Sequence, residues 1–361
     1  MTRIVKKSKF LPINGQEPGH SKMFWSVALV VVFAMYLLPQ FIGRYELLTL
    51  SSFMLMAFLG AGLALLWGYG GILSLGQSAF FGIGGYAYGI VGINLANADF
   101  RIGSALLAGL IFPGLVAAFL GWLMFYARLR GVYIAILMLV VTLLIETFLN
   151  QTAGAGWKVG AAQLGGNNGL GRNSADVQEL PSLSFGLGSY ELDFAGTSVA
   201  FYYLVLTLII FVYLGLRLLV NSRFGYALVA IREDQERAET LGYDIRWLQL
   251  VVFSISAVLA GLSGLLYVSW GNFITPSVFG INANILPVIW VAVAGRKCIL
   301  AGIIGTIVIQ WASQELAVRG EYALVVQGAL LVMIVMALPD GVASLFGRRF
   351  TLNKNDKKWE A

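Results

Sequence analysis

The chain has 361 residues, 58% of them hydrophobic and only 12% charged, with a mean hydropathy of +0.80. A soluble domain carries about a quarter charged residues, so half that load, with repeated apolar runs long enough for a bilayer of ~30 Å, excludes a soluble globular fold and predicts an all-α polytopic membrane protein. The net charge of +6 is open to two readings, because basic residues beside membrane spans record orientation as readily as affinity for nucleic acid.

In chain order, residues 1–22 form a polar, basic tail, and the apolar run from Met23 is followed by no small-residue cleavage site, which reads as a retained first span. Spans are predicted at about Phe24–Phe41, Leu48–Trp67, Ser74–Leu95, Ser104–Tyr126, Val132–Leu149, Val199–Val220, Leu248–Trp270, Ala283–Ala294, Leu300–Leu316 and Tyr322–Leu338. These ten make a membrane domain of residues 23–346, with a long loop at 150–198, a charged loop at 221–247 and a tail at 347–361. The single cysteine, Cys298, leaves no disulfide framework, and the single histidine, His20, sits in the first tail, so neither metal ligation nor histidine catalysis is indicated.

Placing Lys and Arg on alternating sides of the spans puts 19 of the 24 on one side and 5, namely Arg44, Arg101, Lys158, Arg172 and Arg319, on the other. The richer side is predicted to be cytoplasmic. It carries both termini and the 221–247 loop, whereas the 150–198 loop, holding Asp176, Glu179, Glu191 and Asp193, is predicted to be external.

Two stretches break the helical pattern. Gly68–Gly92 places nine glycines with Ser74, Gln77 and Ser78 at membrane depth, and Gly271–Gly302 sets Asn272, Pro276, Asn282, Asn284 and Pro287 around a short apolar piece. Unwound backbone is tolerated in a bilayer only where protein or a water-filled cavity covers it, and paired interrupted segments in two halves of a chain point to a transporter's solute site. The span before the first break runs inward and the span before the second runs outward, so spans two to five and seven to ten read as a possible inverted repeat. Ser74, Gln77, Ser78 and Asn284 are the candidate lining residues, with Phe80, Phe81 and Trp290 as an apolar gate. The ionisable residues assigned to the spans, Glu146 and Glu315, lie near outer ends, where a carboxylate reaches the interface.

The loop Asn221–Trp247 (NSRFGYALVAIREDQERAETLGYDIRW) is too polar for lipid. Asp234 is placed to cap a helix, Gly242 to end it, and Ala227, Leu228 and Ile231 to form an apolar stripe opposite Arg232, Glu233, Glu236, Arg237 and Glu239. A short helix of this kind is predicted to dock in a groove on another protein.

The run GYALVAIREDQERAETLGYDI resembles the coupling loop of bacterial ABC import permeases of the branched-chain amino acid and amide group, the LivM type, and GGILSLGQSAFFGIGGYAYG resembles that family's glycine-rich early span. GGNNGLG at Gly165–Gly171 and WVAVAGR at Trp290–Arg296 look more like the urea-transporting branch than the amino-acid branch, although Arg296, Lys297, Cys298 and Ile299 stand where the family commonly has a Gly-Thr-Leu turn. The resemblance implies a non-enzymatic permease of the bacterial inner membrane, importing urea, another short amide or a branched-chain amino acid. It implies a second, LivH-like permease, two cytoplasmic ATP-binding subunits and an extracytoplasmic solute-binding protein as partners. Gly225, Ala227, Arg232, Glu233, Ala238 and Gly242 would then receive the ATPases, and Gly165, Gly166, Asn167, Asn168 and Gly169 the binding protein. The chain holds no GxxxxGK[ST] phosphate loop, so ATP in that mode would belong to the partners, and no cofactor is expected here. A transporter or channel working without ATP is the competing reading, and it would call for an ionisable residue deep in a span.

Overall fold

The computed structural model describes residue 17, residues 22–317 except 99, 155, 172–178, 188, 189, 195 and 197, and then 328, 329 and 341–343. The helices are α1 (Lys22–Leu37), α2 (Arg44–Leu63), α3 (Gln77–Asn94), α4 (Arg101–Tyr126), α5 (Val132–Asn150), α6 (Val199–Val220), α7 (Arg223–Glu233), α8 (Gln235–Thr240), α9 (Ile245–Gly271), α10 (Ile281–Ala294) and α11 (Ile299–Ala317). Nine of the predicted spans coincide with a helix; the tenth, Tyr322–Leu338, apart from residues 328 and 329, and the C-terminal tail lie outside the described residues.

Among the described residues, seven helical stretches are long and apolar enough to cross a membrane: Lys22–Gln40, Arg44–Tyr69, Arg101–Tyr126, Val132–Asn150, Val199–Val220, Ile245–Gly271 and Ile299–Leu316. The other two are α3 and α10, the helices that follow the glycine- and proline-rich breaks. At 14 residues, α10 is about 21 Å long at 1.5 Å per residue, short of a bilayer core of ~30 Å.

The interior is organised around α9, which packs on α2, α3 and α4. Its buried face is made of small residues, among them Ser256, Ala257, Ala260, Gly261 and Gly264. A Cβ on Gly84 of α3 would lie 2.5 Å from the Gly261 Cα, and one on Gly264 would lie 1.9 Å from the Phe81 carbonyl oxygen. The two backbones therefore touch, which is how membrane helices gain dispersion contact without a hydrophobic driving force. Large apolar residues turn outward instead: Leu115, Phe119 and Trp122 of α4, Ile136, Val140 and Leu144 of α5, and Phe211 and Leu218 of α6 are all exposed. That is the surface a lipid solvent requires.

The charge tally and the coordinates agree on which residues share an end of the bundle. At one end Arg101 donates to the carbonyls of Gly92 (2.8 Å) and Glu179 (2.9 Å), and Asn94 bonds Val159 and Ala161. At the other end Arg128 and Arg130 line a cleft with Gln235 and Asp244.

The all-α expectation holds for the spans and misses strands outside them. The 150–198 loop holds β1 (Lys158–Val159), β2 (Ala162–Gln163), β3 (Leu170–Gly171), β4 (Leu183–Leu187) and β5 (Tyr190–Phe194), and β6 (Phe273–Ile274) follows α9. β1 pairs with β2 and β4 with β5 as hairpins, while β3 pairs antiparallel with β6, Leu170 opposite Ile274 and Gly171 opposite Phe273. The long loop is thereby stitched to the second break.

Candidate functional site

The first break begins inside α2, whose last turn widens into a π-helix over Ala64–Tyr69. The chain then runs without helix from Gly71 to Gly76 and restarts at Gln77. Ser74 is fully buried, and its Oγ accepts from the Gly76 N–H at 3.3 Å. Gln77 and Ser78 open α3, and their side chains tie it to different partners. Gln77 Nε2 donates to Ser256 Oγ at 2.8 Å, and Ser256 donates onward to the Gly62 carbonyl at 2.7 Å. Ser78 Oγ donates to Asn284 Oδ1, while Asn284 Nδ2 donates to the carbonyls of Phe279 (3.0 Å) and Gly280 (2.9 Å). The two breaks thus meet at Ser78 and Asn284, while Gln77 ties the first break to α9 and Ser74 bonds within the break itself.

One atom in this network is idle. Gln77 Oε1 is buried and has no hydrogen-bond partner among the described residues, and a buried acceptor left unpaired costs about 1–3 kcal/mol. It sits at the first residue of a helix that follows unwound backbone, the arrangement in which transporters hold solute.

The three aromatics expected to form a gate are packed within the subunit. Phe80 meets Phe253 edge-on at 5.4 Å between centroids, Phe253 meets Phe125 at 5.7 Å, and Phe81 leans on Tyr267 at 5.5 Å. Phe80, Phe81 and Trp290 are buried inside the subunit. Glu146 lies against the start of α10, where a Cβ on Gly280 would stand 3.2 Å from its Oε1, and Glu315 is exposed near the end of α11. The sequence reading passed over Arg217: it is 1% exposed in the last turn of α6, donates to Tyr213 Oη at 3.0 Å, and lies under the Trp25 ring at 5.0 Å.

The charged loop forms two helices, α7 and α8, broken at Asp234. Asp234 caps α8 by accepting from the Arg237 N–H at 3.0 Å, and Gly242 follows with φ +87°. The expectation that its apolar stripe docks on another protein is overturned: Ala227, Leu228, Ile231 and Ala238 are buried against this chain's own helices, as is Gly225, whose Cβ would lie 1.9 Å from the Val220 carbonyl oxygen. Of the six predicted coupling residues, only Arg232, Glu233 and Gly242 reach the surface. Arg232 Nη1 donates to the Gly68 carbonyl at the π-helical turn, and its Nη2 stands 2.5 Å from Glu233 Oε1. The hydrogen bond and charge of Arg232 hold the Glu233 carboxyl below the usual range. Beside α8 lies a cleft of about 210 Å³, lined by Arg128, Arg130, Gln235, Glu239, Tyr243 and Asp244 among others.

In the long loop, Gly166–Asn168 make one 3₁₀ turn between Gly165 (φ +72°) and Gly169 (φ +70°). Both flanking residues need the left-handed region, which glycine enters without penalty. Gly166 and Gly169 are buried, so of the five predicted contact residues only Asn167 and Asn168 present side chains outward.

A family model described as "Branched-chain amino acid transport system / permease component" matches residues 46–335. The chain is 26% identical over 370 residues to the high-affinity branched-chain amino acid transport system permease protein LivM of Escherichia coli strain K12, covering 99% of this chain and 83% of that one. The LivM protein of Salmonella typhimurium strain LT2 is likewise 26% identical over 368 residues, with the same two coverages. No solved structure matches. With its early glycine-rich break, its second break and its charged loop all inside the matched segment, the chain belongs to the branched-chain amino acid ABC permease family, LivM type.

Proposed function

We propose that this permease is one membrane-spanning subunit of an ATP-driven importer whose solute is urea or a short amide. The observation that carries the solute class is the idle Gln77 Oε1 within an uncharged network of Gln77, Ser78, Ser256 and Asn284. A carbonyl acceptor among neutral donors and acceptors suits amide N–H groups, and the resemblance of GGNNGLG and WVAVAGR to the urea branch supports the same reading. A second reading, a branched-chain amino acid as solute, is favoured by the names of the two relatives.

In this reading a solute-binding protein docks near Asn167 and Asn168, and the solute enters between this chain and a second, LivH-like permease. Two ATP-binding subunits press on the surface of α7 and α8 from the cytoplasm, the side given by the Lys and Arg excess. Arg232 passes that motion to the Gly68 carbonyl, hence to the unwound Gly71–Gly76 segment and the start of α3, and access alternates.

Uptake of labelled urea, acetamide and leucine in a deletion strain complemented with this chain tests the solute. Urea or acetamide uptake restored by the chain is expected; restoration of leucine uptake alone would transfer the assignment to the second reading. The coupling claim is tested by R232A/E233A in the reconstituted complex, where binding-protein-stimulated ATP hydrolysis should fall about tenfold, the order of one lost charged contact. Wild-type hydrolysis coupled to transport would sink it.

A further inference from the structure

Glu17 lies before the segment matched by the family model, in the tail, and it is fully buried. Its Oε1 accepts from the Ile299 N–H at 2.6 Å and from the Tyr69 hydroxyl, and its Oε2 accepts from the Cys298 thiol at 3.5 Å. Ile299 is the first residue of α11, where the N–H groups have no partner within the helix and the positive end of the helix dipole favours a carboxylate. Tyr69 is the last residue of the π-helical turn that ends α2. The neighbouring Gly68 carries the carbonyl that Arg232 of α7 grips, and its own backbone abuts the loop before α11, where an added Cβ would lie 1.8 Å from the Arg296 carbonyl oxygen. The charged and titratable groups facing Glu17 are Arg217 and Tyr213 from α6, Tyr69 from the π-helical turn after α2, and Cys298 before α11. Arg232 from α7 is close enough to act on Tyr69.

We propose that Glu17 is a positioning residue for energy coupling: its carboxyl group binds the end of α2 to the start of α11 beside the Arg232 contact, so that α7 moves both helices together. Without it, a push on α7 would reach the start of α11 only through the Gly68–Arg296 backbone contact and the Tyr69 hydroxyl on the Lys297 carbonyl at 3.2 Å, and α11 would lag. Ties to two helices, together with complete burial, distinguish Glu17 from a carboxylate that merely caps a helix. This role rests on α7 being the element on which the ATPases press, whereas the shielding of Cys298 by Glu17 does not.

Cys298 is the only cysteine of the chain, which gives a direct readout. N-ethylmaleimide labelling of Cys298 on this chain is compared in the reconstituted complex for wild type, Glu17→Ala and Glu17→Gln, together with solute taken up per ATP hydrolysed. Glu17→Ala uncovers the thiol, so labelling should accelerate about tenfold, and uptake per ATP should fall by about half or more as α2 and α11 separate. Glu17→Gln keeps an oxygen for Tyr69 and Ile299 and should restore both readings toward wild type. Wild-type labelling of Glu17→Ala would overturn the docking, and faster labelling with unchanged uptake per ATP would overturn the coupling role. If the Glu17→Ala chain does not assemble, Tyr69→Phe, which withdraws one donor, takes its place, and an unchanged uptake per ATP there overturns the role as well. Failure of the α7 reading itself would show separately, as coupled hydrolysis in R232A/E233A.

Discussion

Ser254 and Ser256 stand two positions apart on α9, and only the second reaches another helix: Ser254 bonds back to the Leu250 carbonyl at 2.9 Å, as serines in membrane helices commonly do, while Ser256 links Gly62 to Gln77. Nothing in the sequence separates the two, so Ser256 was illegible there, although Gln77, Ser78 and Asn284 stood out as polar residues in apolar runs. Glu17 was illegible for the same reason, since its partners lie at residues 69, 298 and 299. The network also separates stability from transport. Ser78→Ala leaves the Asn284 Oδ1 without its donor and should cost about 1–3 kcal/mol, seen as a lower melting temperature of the purified complex. Gln77→Leu removes the idle acceptor together with the Nε2 bond to Ser256, so stability to melting should fall only by the roughly 0.5–1.5 kcal/mol of one hydrogen bond, while amide uptake falls about tenfold, the worth of one hydrogen bond to the solute. Glu17 adds a pH dependence. Burial, the largest influence, raises its carboxyl above the ordinary 4.5 despite the hydrogen bonds and Arg217, which pull it down. A raised value in the docked state means that docking is fully present below the ordinary glutamate range and weakens as pH rises through the docked value. Hydrogen exchange at the Ile299 amide, compared with Glu17→Gln at each pH, should show protection declining with pH in the wild type only.

At the scale of elements, the two breaks and the charged loop were readable because each violates a rule of lipid burial. Glycine runs, prolines and five acidic side chains between Glu233 and Asp244 have no place in an uninterrupted span. The partner of the loop's apolar stripe was not readable, because an amphipathic pattern fixes which face is apolar and leaves open what covers it; here α7 and α8 lie on their own bundle. The pairing of β3 with β6 was equally hidden, since two-residue strands about a hundred positions apart carry no periodicity. The contact of α3 with α9 yields the sharpest element-level prediction. Gly264→Val would drive a branched side chain into the Phe81 carbonyl, which already lies 1.9 Å from an added Cβ, and overpacking of this kind costs about 1–3 kcal/mol. The melting temperature should fall, and Gly103→Val, at a position with open space around it, should leave it unchanged.

For the whole molecule, the alternation of basic residues and the grouping of helix ends describe one bundle with a loop-bearing end and a charged-loop end. The placement of the former outside the cell, and the relation of spans two to five to spans seven to ten as an inverted repeat, are proposals of the same reading. In a Cys298→Ser background, Asn168→Cys should react with a membrane-impermeant maleimide in intact cells, while Glu239→Cys should react only after permeabilisation; both positions are exposed. The opposite pattern would reverse the orientation.

The π-helical turn at Ala64–Tyr69 gives the end of α2 one residue of slack where it makes the two contacts proposed to carry force, Gly68 to Arg232 and Tyr69 to Glu17. Relaxing that turn to α-helical geometry would swing the following residues by about 100° and advance them by about 1.5 Å. A change of that size is a step between two registers rather than a bend. In the proposed coupling this turn would work as an escapement, which holds one tooth and then the next, and Glu17 of the tail would be the pawl.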